Sequence, residues 1–163
     1  MNKSSSDKAV KEKNNSKKSP TIVMVSGGFD PIHIGHIRYM KEAKKLGDYL
    51  VVVINNDNWF KLKGKPVFMP HKERKEIIEA LGCVDEVVVT HHSKKTKDIS
   101  VCKELKKIKP HIFANGGDRF ADNIPEFKLC KKLGIQMVFN VGHGGKVRSS
   151  STLLKNYSKN FKN

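Results

Sequence analysis

The ten-residue stretch Gly27–His36 constrains the fold of this chain most, because it places glycines, an acidic residue and two imidazoles together. The β-branched run Thr21–Val25 before it predicts a strand, and Ile37, Met40 and Ala43 after it recur at helical spacing. Glycine lets a ligand approach the backbone closely, and unpaired N–H groups at a helix start attract anions. The stretch therefore predicts a phosphate site at a strand-to-helix turn.

The spacing of His33 and His36 is the most informative part of this turn. Two histidines three positions apart, with Gly35 between them, can converge on one side of a helix start. They could then donate hydrogen bonds to phosphate oxygens as charge develops in a transition state. The alternative is that both are ordinary polar residues at a helix cap. The presence of Asp30 in the same turn favours the phosphate site.

In this segment the chain resembles the cytidylyltransferase-like nucleotidyltransferases, whose signature is GxFDxxHxGH. The resemblance implies transfer of a nucleoside monophosphate from an NTP to a small phosphate monoester, with release of pyrophosphate. It also implies Mg²⁺ on the triphosphate, with Asp30 reaching the metal, and a homodimer. The residues that it assigns are catalytic His33 and His36, and nucleotide-binding Gly28, Phe29, Asp30 and Gly35.

Length and composition indicate one α/β domain, residues 20–157, between a disordered basic tail, 1–19, and a basic C-terminal tail, 158–163. The formal net charge of +16 favours phosphorylated substrates or polyanions, so nonspecific association with nucleic acid is one expectation. A noncatalytic nucleic-acid-binding protein is the alternative of another class. The three cysteines form no CxxC pair, which fits a reducing cytoplasm. No apolar run is long enough to predict a membrane span.

Further apolar runs predict four more strands, namely Tyr49–Ile54, Val84–Val89, 111–115 and Ile135–Val141. Helical stripes between them predict helices at about His71–Leu81 and Pro125–Leu133, the second ending at Gly134. Alternation of strands and helices predicts a Rossmann-like, doubly wound parallel sheet of five strands.

The segment Asn55–Pro70 is rich in Asn, Gly and Pro and is predicted to be a long loop, a kind of segment that is often functional. A solvated basic loop is one interpretation of its lysines. The resemblance adds another, because the family carries a Lys-Gly pair here whose ammonium contacts the α-phosphate. Lys63, followed by Gly64, matches that position and is predicted to be catalytic.

Three basic residues outside the turn are candidates for binding the acceptor phosphate. Arg74 lies on the buried stripe of its helix and needs either a carboxylate or a bound phosphate. The Glu73-Arg74 pair also resembles a family motif that holds the catalytic loop and the substrate phosphate. His91 and Lys94 follow the third predicted strand, in a basic loop that suits a phosphate better than a metal.

Two later motifs complete the resemblance, which covers about residues 21–157. In the segment 116–119 the family has a Gly-Asp turn facing the nucleotide, which Gly117 and Asp118 match; a simple turn is the alternative. The segment 142–152 resembles the family's third signature in its hydroxyl residues, whereas the family's arginine falls on Gly145. The nucleotide-binding residues predicted there are Arg148, Ser149, Ser150, Ser151 and Thr152.

The two substrates follow from finer similarities within the family. The segment 63–68 with Glu73-Arg74 resembles phospho-alcohol cytidylyltransferases, which favours CTP and an acceptor such as glycerol 3-phosphate. The Gly-Gly-Asp turn and the region 125–141 are more similar to heptose-phosphate adenylyltransferases. An adenylyltransferase that uses ATP and a sugar phosphate is therefore the alternative.

Overall fold

The computed structural model describes residues 19–117, 124–142 and 149–160. Within these ranges strands and helices alternate along most of the chain. The strands are β1 (Ile22–Gly27), β2 (Tyr49–Ile54), β3 (Glu86–Val89), β4 (Ile112–Ala114) and β5 (Gln136–Val138). The helices are α1 (Ile34–Lys44), α2 (Asp57–Leu62), α3 (His71–Glu79), α4 (Cys102–Ile108), α5 (Glu126–Leu133) and α6 (Ser150–Lys159).

The five strands form one parallel sheet in the order β3-β2-β1-β4-β5, which confirms the predicted doubly wound architecture. The chain builds outward from β1 to β3 on one side and from β4 to β5 on the other. The order therefore reverses between β1 and β4. In open parallel sheets the crevice beyond the carboxyl ends of the strands at such a reversal is the usual ligand site.

Successive side chains of β1 point to opposite faces of the sheet and enter two separate cores. Val23 and Val25 pack with residues of α1 and α3, whereas Met24 packs with residues of α4 and α5. Both faces of the sheet are thus covered by helices. This double burial explains why β2 is a continuous apolar run rather than an alternating one.

The largest departure from the predicted elements is α2, which lies inside the segment predicted to be a loop. The Asn56 side chain caps it by accepting a hydrogen bond from the Trp59 N–H at 3.1 Å. Asparagine and aspartate favour turns and helix starts for the same reason, since their short side chains bond to nearby backbone N–H groups. The composition of this segment therefore does not distinguish a loop from a short capped helix.

The helix ends confirm the predicted cap at Gly134 and show a second cap at Ser149. Gly134 ends α5 in the left-handed conformation, with φ of 68°. Ser149 begins α6 by accepting a hydrogen bond from the Thr152 N–H at 3.1 Å. α6 continues to Lys159, past the predicted domain boundary at residue 157. Within the described ranges, every helix falls short of the length and apolar character needed to cross a membrane.

Candidate active site

A cleft of about 670 Å³ opens where the strand order reverses. This volume is within the range of small-molecule sites in proteins. Its walls come from the end of β1, the start of α1, the segment 59–66, the turn after β4 and the start of α6. Among the lining residues are Gly28, Asp30, His33, His36, Tyr39, Trp59, Lys65, Asn115, Gly117, Ser149, Ser150 and Ser151.

The two histidines of the turn cap α1 reciprocally. The Gly35 N–H donates to His33 Nδ1 at 3.1 Å, and the His33 N–H donates to His36 Nδ1 at 3.3 Å. Because both Nδ1 atoms accept, a neutral ring at either position carries its proton on Nε2. The rings are stacked, with 3.7 Å between centroids and 20° between planes. The structure shows the capping, which places the proton of each neutral ring on Nε2. The phosphate site stays a prediction.

Burial, together with the charge on neighbouring His33, lowers the pKa of His36 to about 4. The edge of the Phe29 ring also packs near the His36 imidazole, with the two centroids 5.0 Å apart. At neutral pH His36 is therefore uncharged and acts as a hydrogen-bond donor through Nε2. A donor of this kind suits an oxygen on which negative charge increases during reaction.

The glycine at position 28 allows the cleft wall to pack closely. A Cβ atom at Gly28 would lie 2.7 Å from the Phe60 ring, so a side chain there would displace that ring. Gly35 is less restricted, because its Cβ would meet the His33 ring at 3.0 Å. At both positions of the turn, glycine therefore leaves room for a neighbouring ring.

Asp30 lines the cleft, but its carboxylate is already used. Its two oxygens accept hydrogen bonds from the Phe68 N–H at 2.8 Å and the Met69 N–H at 2.7 Å. The side chain therefore fastens the segment before α3 to the turn. The described residues contain no group of three or more His, Cys, Asp or Glu side chains placed to hold a metal ion. The two hydrogen bonds give Asp30 a structural role, and its role as a metal ligand stays a prediction.

Arg74 is fully buried and lies outside the lining of the cleft. Its guanidinium donates to three backbone carbonyls, those of Met69 at 2.8 Å and of Gly28 and Asn55 at 2.7 Å. A fourth bond, at 2.8 Å, goes to the Asp57 carboxylate. Of the two predicted partners, the structure shows the carboxylate. Arg74 connects the turn, α2 and α3 and does not line the cleft.

Lys63, the predicted catalytic lysine, lies outside the residues that line the cleft. Its ammonium is 4.6 Å from the centroid of the Trp59 ring. Lys65, two positions later, lines the cleft together with Pro66. The structure therefore places a lysine of this segment at the site, but a different one from the residue predicted.

The other two predicted acceptor residues also lie away from the cleft. His91 pairs with the buried Glu104 carboxylate at 2.6 Å and lines a separate cavity of about 110 Å³. Lys94 is exposed on the same loop. The structure therefore does not bring Arg74, His91 and Lys94 together at one site, because each is occupied or placed elsewhere by its own element.

The opposite wall of the cleft comes from the turn after β4 and from α6. Gly117 has φ of 69°, a conformation that favours glycine. The Ser150 hydroxyl donates to the Pro31 carbonyl at 2.9 Å and so joins α6 to the histidine turn. The side chains of Ser149 and Thr152 bond to each other at 2.7 Å. Predicted residues Asp118 and Arg148 lie outside the described ranges.

Sequence reasoning missed several residues of the lining, namely Ser26, Tyr39, Trp59, Phe60, Lys65 and Asn115. Tyr39 shows why they are hard to find. Its hydroxyl donates to the Ala114 carbonyl at 2.7 Å, and a Cβ at Gly116 would lie 2.9 Å from its ring. These contacts join α1 to β4 across 75 residues of sequence. For Ser26 and Asn115 a signal did exist, since both lie near the carboxyl ends of strands at the reversal.

Comparison with known proteins gives one matching family model and similar proteins named FAD synthase. A family model described as cytidylyltransferase-like matches residues 24–155. An FAD synthase from Ferroglobus placidus is 42% identical over 114 residues, which are 70% of each chain. An FAD synthase from Thermoplasma volcanium is 35% identical over 135 residues, covering 82% of this chain and 91% of the relative.

Two other comparisons match proteins that are not named FAD synthase. The bifunctional protein HldE of Pelobacter propionicus is 33% identical over 84% of this chain, which spans 28% of that relative. A crystal structure described as the lipopolysaccharide core biosynthesis protein from Thermoplasma volcanium matches with a TM-score of 0.63 and 31% identity, covering 77% of this chain and 99% of that one. The histidine turn, the parallel sheet and the matched range agree, and the chain belongs to the cytidylyltransferase-like family of nucleotidyltransferases.

Proposed function

We propose that this nucleotidyltransferase transfers AMP from ATP to FMN, forming FAD and releasing pyrophosphate. The observation that carries the proposal is the similarity to FAD synthases, at 42% identity over 114 residues in one relative and over 91% of the length of another at 35% identity. These names favour ATP over the CTP that the sequence motifs favoured. They also favour a flavin phosphate over glycerol 3-phosphate.

In this reaction the protein mainly positions the two substrates and stabilises negative charge. An oxygen of the FMN phosphate attacks the α-phosphorus of ATP, and the bond from that phosphorus to the pyrophosphate oxygen breaks. The attacking phosphate is already an anion, so no general base is needed, and alignment of the two substrates supplies much of the acceleration. Negative charge shifts toward the leaving pyrophosphate as that bond breaks.

The Nε2 atoms of His33 and His36 are proposed to donate hydrogen bonds to phosphate oxygens during this step. Reciprocal capping directs both Nδ1 atoms to backbone N–H groups, so each neutral ring carries its donor proton on Nε2. Lys65 adds a cation to the cleft lining. Donors and cations fixed before the reaction stabilise charge without the cost of reorganisation.

The aromatic side of the cleft suits a flavin. Trp59 and Pro66 line the cleft beside Lys65, so an apolar surface lies next to a cation. A flavin ring is flat and aromatic, whereas a sugar or a glycerol offers no such surface. We propose that Trp59 contacts the ring while Lys65 contacts phosphate.

Magnesium is proposed to bind through the nucleotide. Mg²⁺ commonly keeps several waters and binds triphosphate oxygens with few protein ligands. Asp30 already accepts two backbone hydrogen bonds and is not proposed to hold the metal. The homodimer and the cytoplasmic location stay predictions, the first of which light scattering coupled to gel filtration would test.

Transfer to a sugar phosphate is the second candidate, because HldE aligns with 84% of the chain. A matrix of ATP, CTP, GTP and UTP against FMN, glycerol 3-phosphate and a heptose 1-phosphate separates the candidates. Pyrophosphate release gives the rate, and mass spectrometry identifies each product. We expect ATP with FMN to give the highest kcat/KM. A higher kcat/KM for ATP with the heptose phosphate, or for CTP with glycerol 3-phosphate, would overturn the proposal.

A further inference from the structure

The helices α4 and α5 lie side by side on one face of the sheet. Leu105 of α4 and Cys130 of α5 are buried in the same core, together with Met24 of β1. The Val101 N–H before α4 donates to the Glu126 carboxylate of α5 at 3.0 Å, which fixes the two helices relative to each other. Their outer surfaces therefore form one continuous face.

Among the described residues, the lysines of this face have no acidic partner within salt-bridge distance. Both carboxylates of the two helices, Glu104 and Glu126, are turned inward and are only 4% exposed. Asp98 lies near Lys103 and lowers the positive charge there, so Lys103 is left out of the set. None of the remaining lysines forms a salt bridge with a described residue. We call the exposed Lys106, Lys107, Lys109, Lys128, Lys131 and Lys132 the α4–α5 lysine face.

The opposite helical layer shows that this arrangement is not a simple result of a lysine-rich composition. On α1 and just after it, Lys44 pairs with Asp85 and Lys45 pairs with Glu42, each at 2.6 Å. On α3, Lys75 pairs with Glu79. Three lysines of that layer are thus paired with carboxylates. An excess of lysine in the whole chain would not by itself bury the carboxylates of one layer only.

We infer that the α4–α5 lysine face binds the phosphate backbone of a nucleic-acid duplex without sequence preference. Lysines are compact point charges, so they neutralise phosphates without reading base edges. A duplex carries one negative charge per about 1.7 Å of its axis, which supplies an anion for each lysine of a rigid pair of helices. The face lies apart from the cleft residues and does not depend on which nucleotide the enzyme uses.

An anionic membrane is the other polyanion that lysines could meet, and the apolar residues of the face argue against it. Phe127 and Leu133 are the exposed large hydrophobic residues of α5, at 37% and 40% exposure. They are six positions apart and so stand about 120° from each other around the helix. A helix that inserts into a membrane interface instead presents a continuous apolar stripe between its basic residues.

Two variants with the same change in net charge test the inference. Lys106, Lys107, Lys131 and Lys132 are replaced together by glutamine in the first, and Lys41, Lys45, Lys72 and Lys75 of the opposite layer in the second. Binding of the full chain to a fluorescein-labelled 16-base-pair DNA duplex is measured by anisotropy from 50 to 200 mM salt. Binding to vesicles of phosphatidylserine and phosphatidylcholine is measured by sedimentation. Nucleotidyl transfer reports that each variant is folded.

We expect the first variant to bind the duplex at least 10-fold more weakly than the native chain, and the second to stay within about 2-fold. The salt slope of the first should fall by about 3 to 4, one for each lost phosphate contact. Equal losses in the two variants would overturn the inference in favour of net charge alone. No duplex binding by the native chain at 50 mM salt, or a loss confined to the vesicles, would also overturn it.

Discussion

The imidazole rings of His33 and His36 are stacked with their centroids 3.7 Å apart, and each Nδ1 accepts a backbone N–H of the same turn. One set of contacts therefore fixes the start of α1, the orientation of both rings and the tautomer of any neutral ring. Two protonated rings at this distance would repel each other strongly. The arrangement favours uncharged His36 as a donor rather than a cation.

The lowered pKa of His36 gives the stability of the protein a defined pH dependence. The folded pKa is about 4 and the ordinary value is 6.5, so between these values the unfolded chain binds the extra proton. Folding stability should then be greatest above pH 6.5 and fall as the pH drops toward 4. One pKa unit corresponds to about 1.4 kcal/mol, so the shift sets an upper limit of about 3 to 4 kcal/mol on the loss. Urea denaturation of the native chain and of His36→Gln should show a shallower pH dependence in the variant. Parallel curves would contradict the assigned pKa.

Arg74 should be a stabilising residue more than a substrate ligand. Arg74→Met keeps much of the apolar volume but leaves three carbonyls and Asp57 without their donor. We expect a loss of about 3 to 5 kcal/mol in the free energy of unfolding, measured with urea. Lys72→Met, on the exposed side of the same helix, should change it by no more than about 0.5 kcal/mol. A fully stable Arg74→Met would show that these bonds are not needed to hold the turn.

Substitution of Asp30 tests whether its carboxylate binds the metal or only accepts hydrogen bonds within the structure. If it only fastens Phe68 and Met69 to the turn, Asp30→Asn should loosen that segment, because an amide keeps a single acceptor oxygen. Limited proteolysis within residues 63–69 should become faster. The Mg²⁺ concentration for half-maximal rate should stay unchanged. A large increase in that concentration, with unchanged proteolysis, would instead make Asp30 a metal ligand.

Lys63 and Lys65 form a natural pair for testing which lysine acts at the site. Both are exposed in the absence of substrate, so alanine at either position should change stability by no more than about 0.5 kcal/mol. Lys65→Ala should lower kcat/KM for the nucleotide substantially, whereas Lys63→Ala should do so only slightly. The measurement is steady-state pyrophosphate release. The opposite ranking would show that the segment rearranges when nucleotide binds, as active-site segments often do.

Much of the fold could be predicted because its signals are local. The apolar run of β2 and the cap at Gly134 each depend on a few neighbouring residues. The histidine turn is local as well, which is why the family could be recognised before the structure. α2 was missed because the Asn-rich sequence at its start suits a turn and a helix cap equally.

The partners of long-range contacts could not be predicted in the same way. Arg74 was expected to need an acceptor, but which atoms accept depends on how α2, α3 and the turn meet. The exchange of Lys63 for Lys65 has a similar cause, since the turn that ends α2 decides which lysine faces the cleft. Such details arise from tertiary packing and have no short sequence signal.

The most direct test of the central claim is the comparison of His36→Ala with the native enzyme in two measurements, turnover and ATP affinity. A donor directed at developing charge acts mainly in the transition state, so kcat should fall by about 10²- to 10³-fold while the Kd of ATP changes little. His91→Ala, a histidine outside the cleft, is the matched control and should keep nearly full activity. An unchanged kcat in His36→Ala, or a fall explained entirely by weaker ATP binding, would contradict the role of the histidine turn in nucleotidyl transfer.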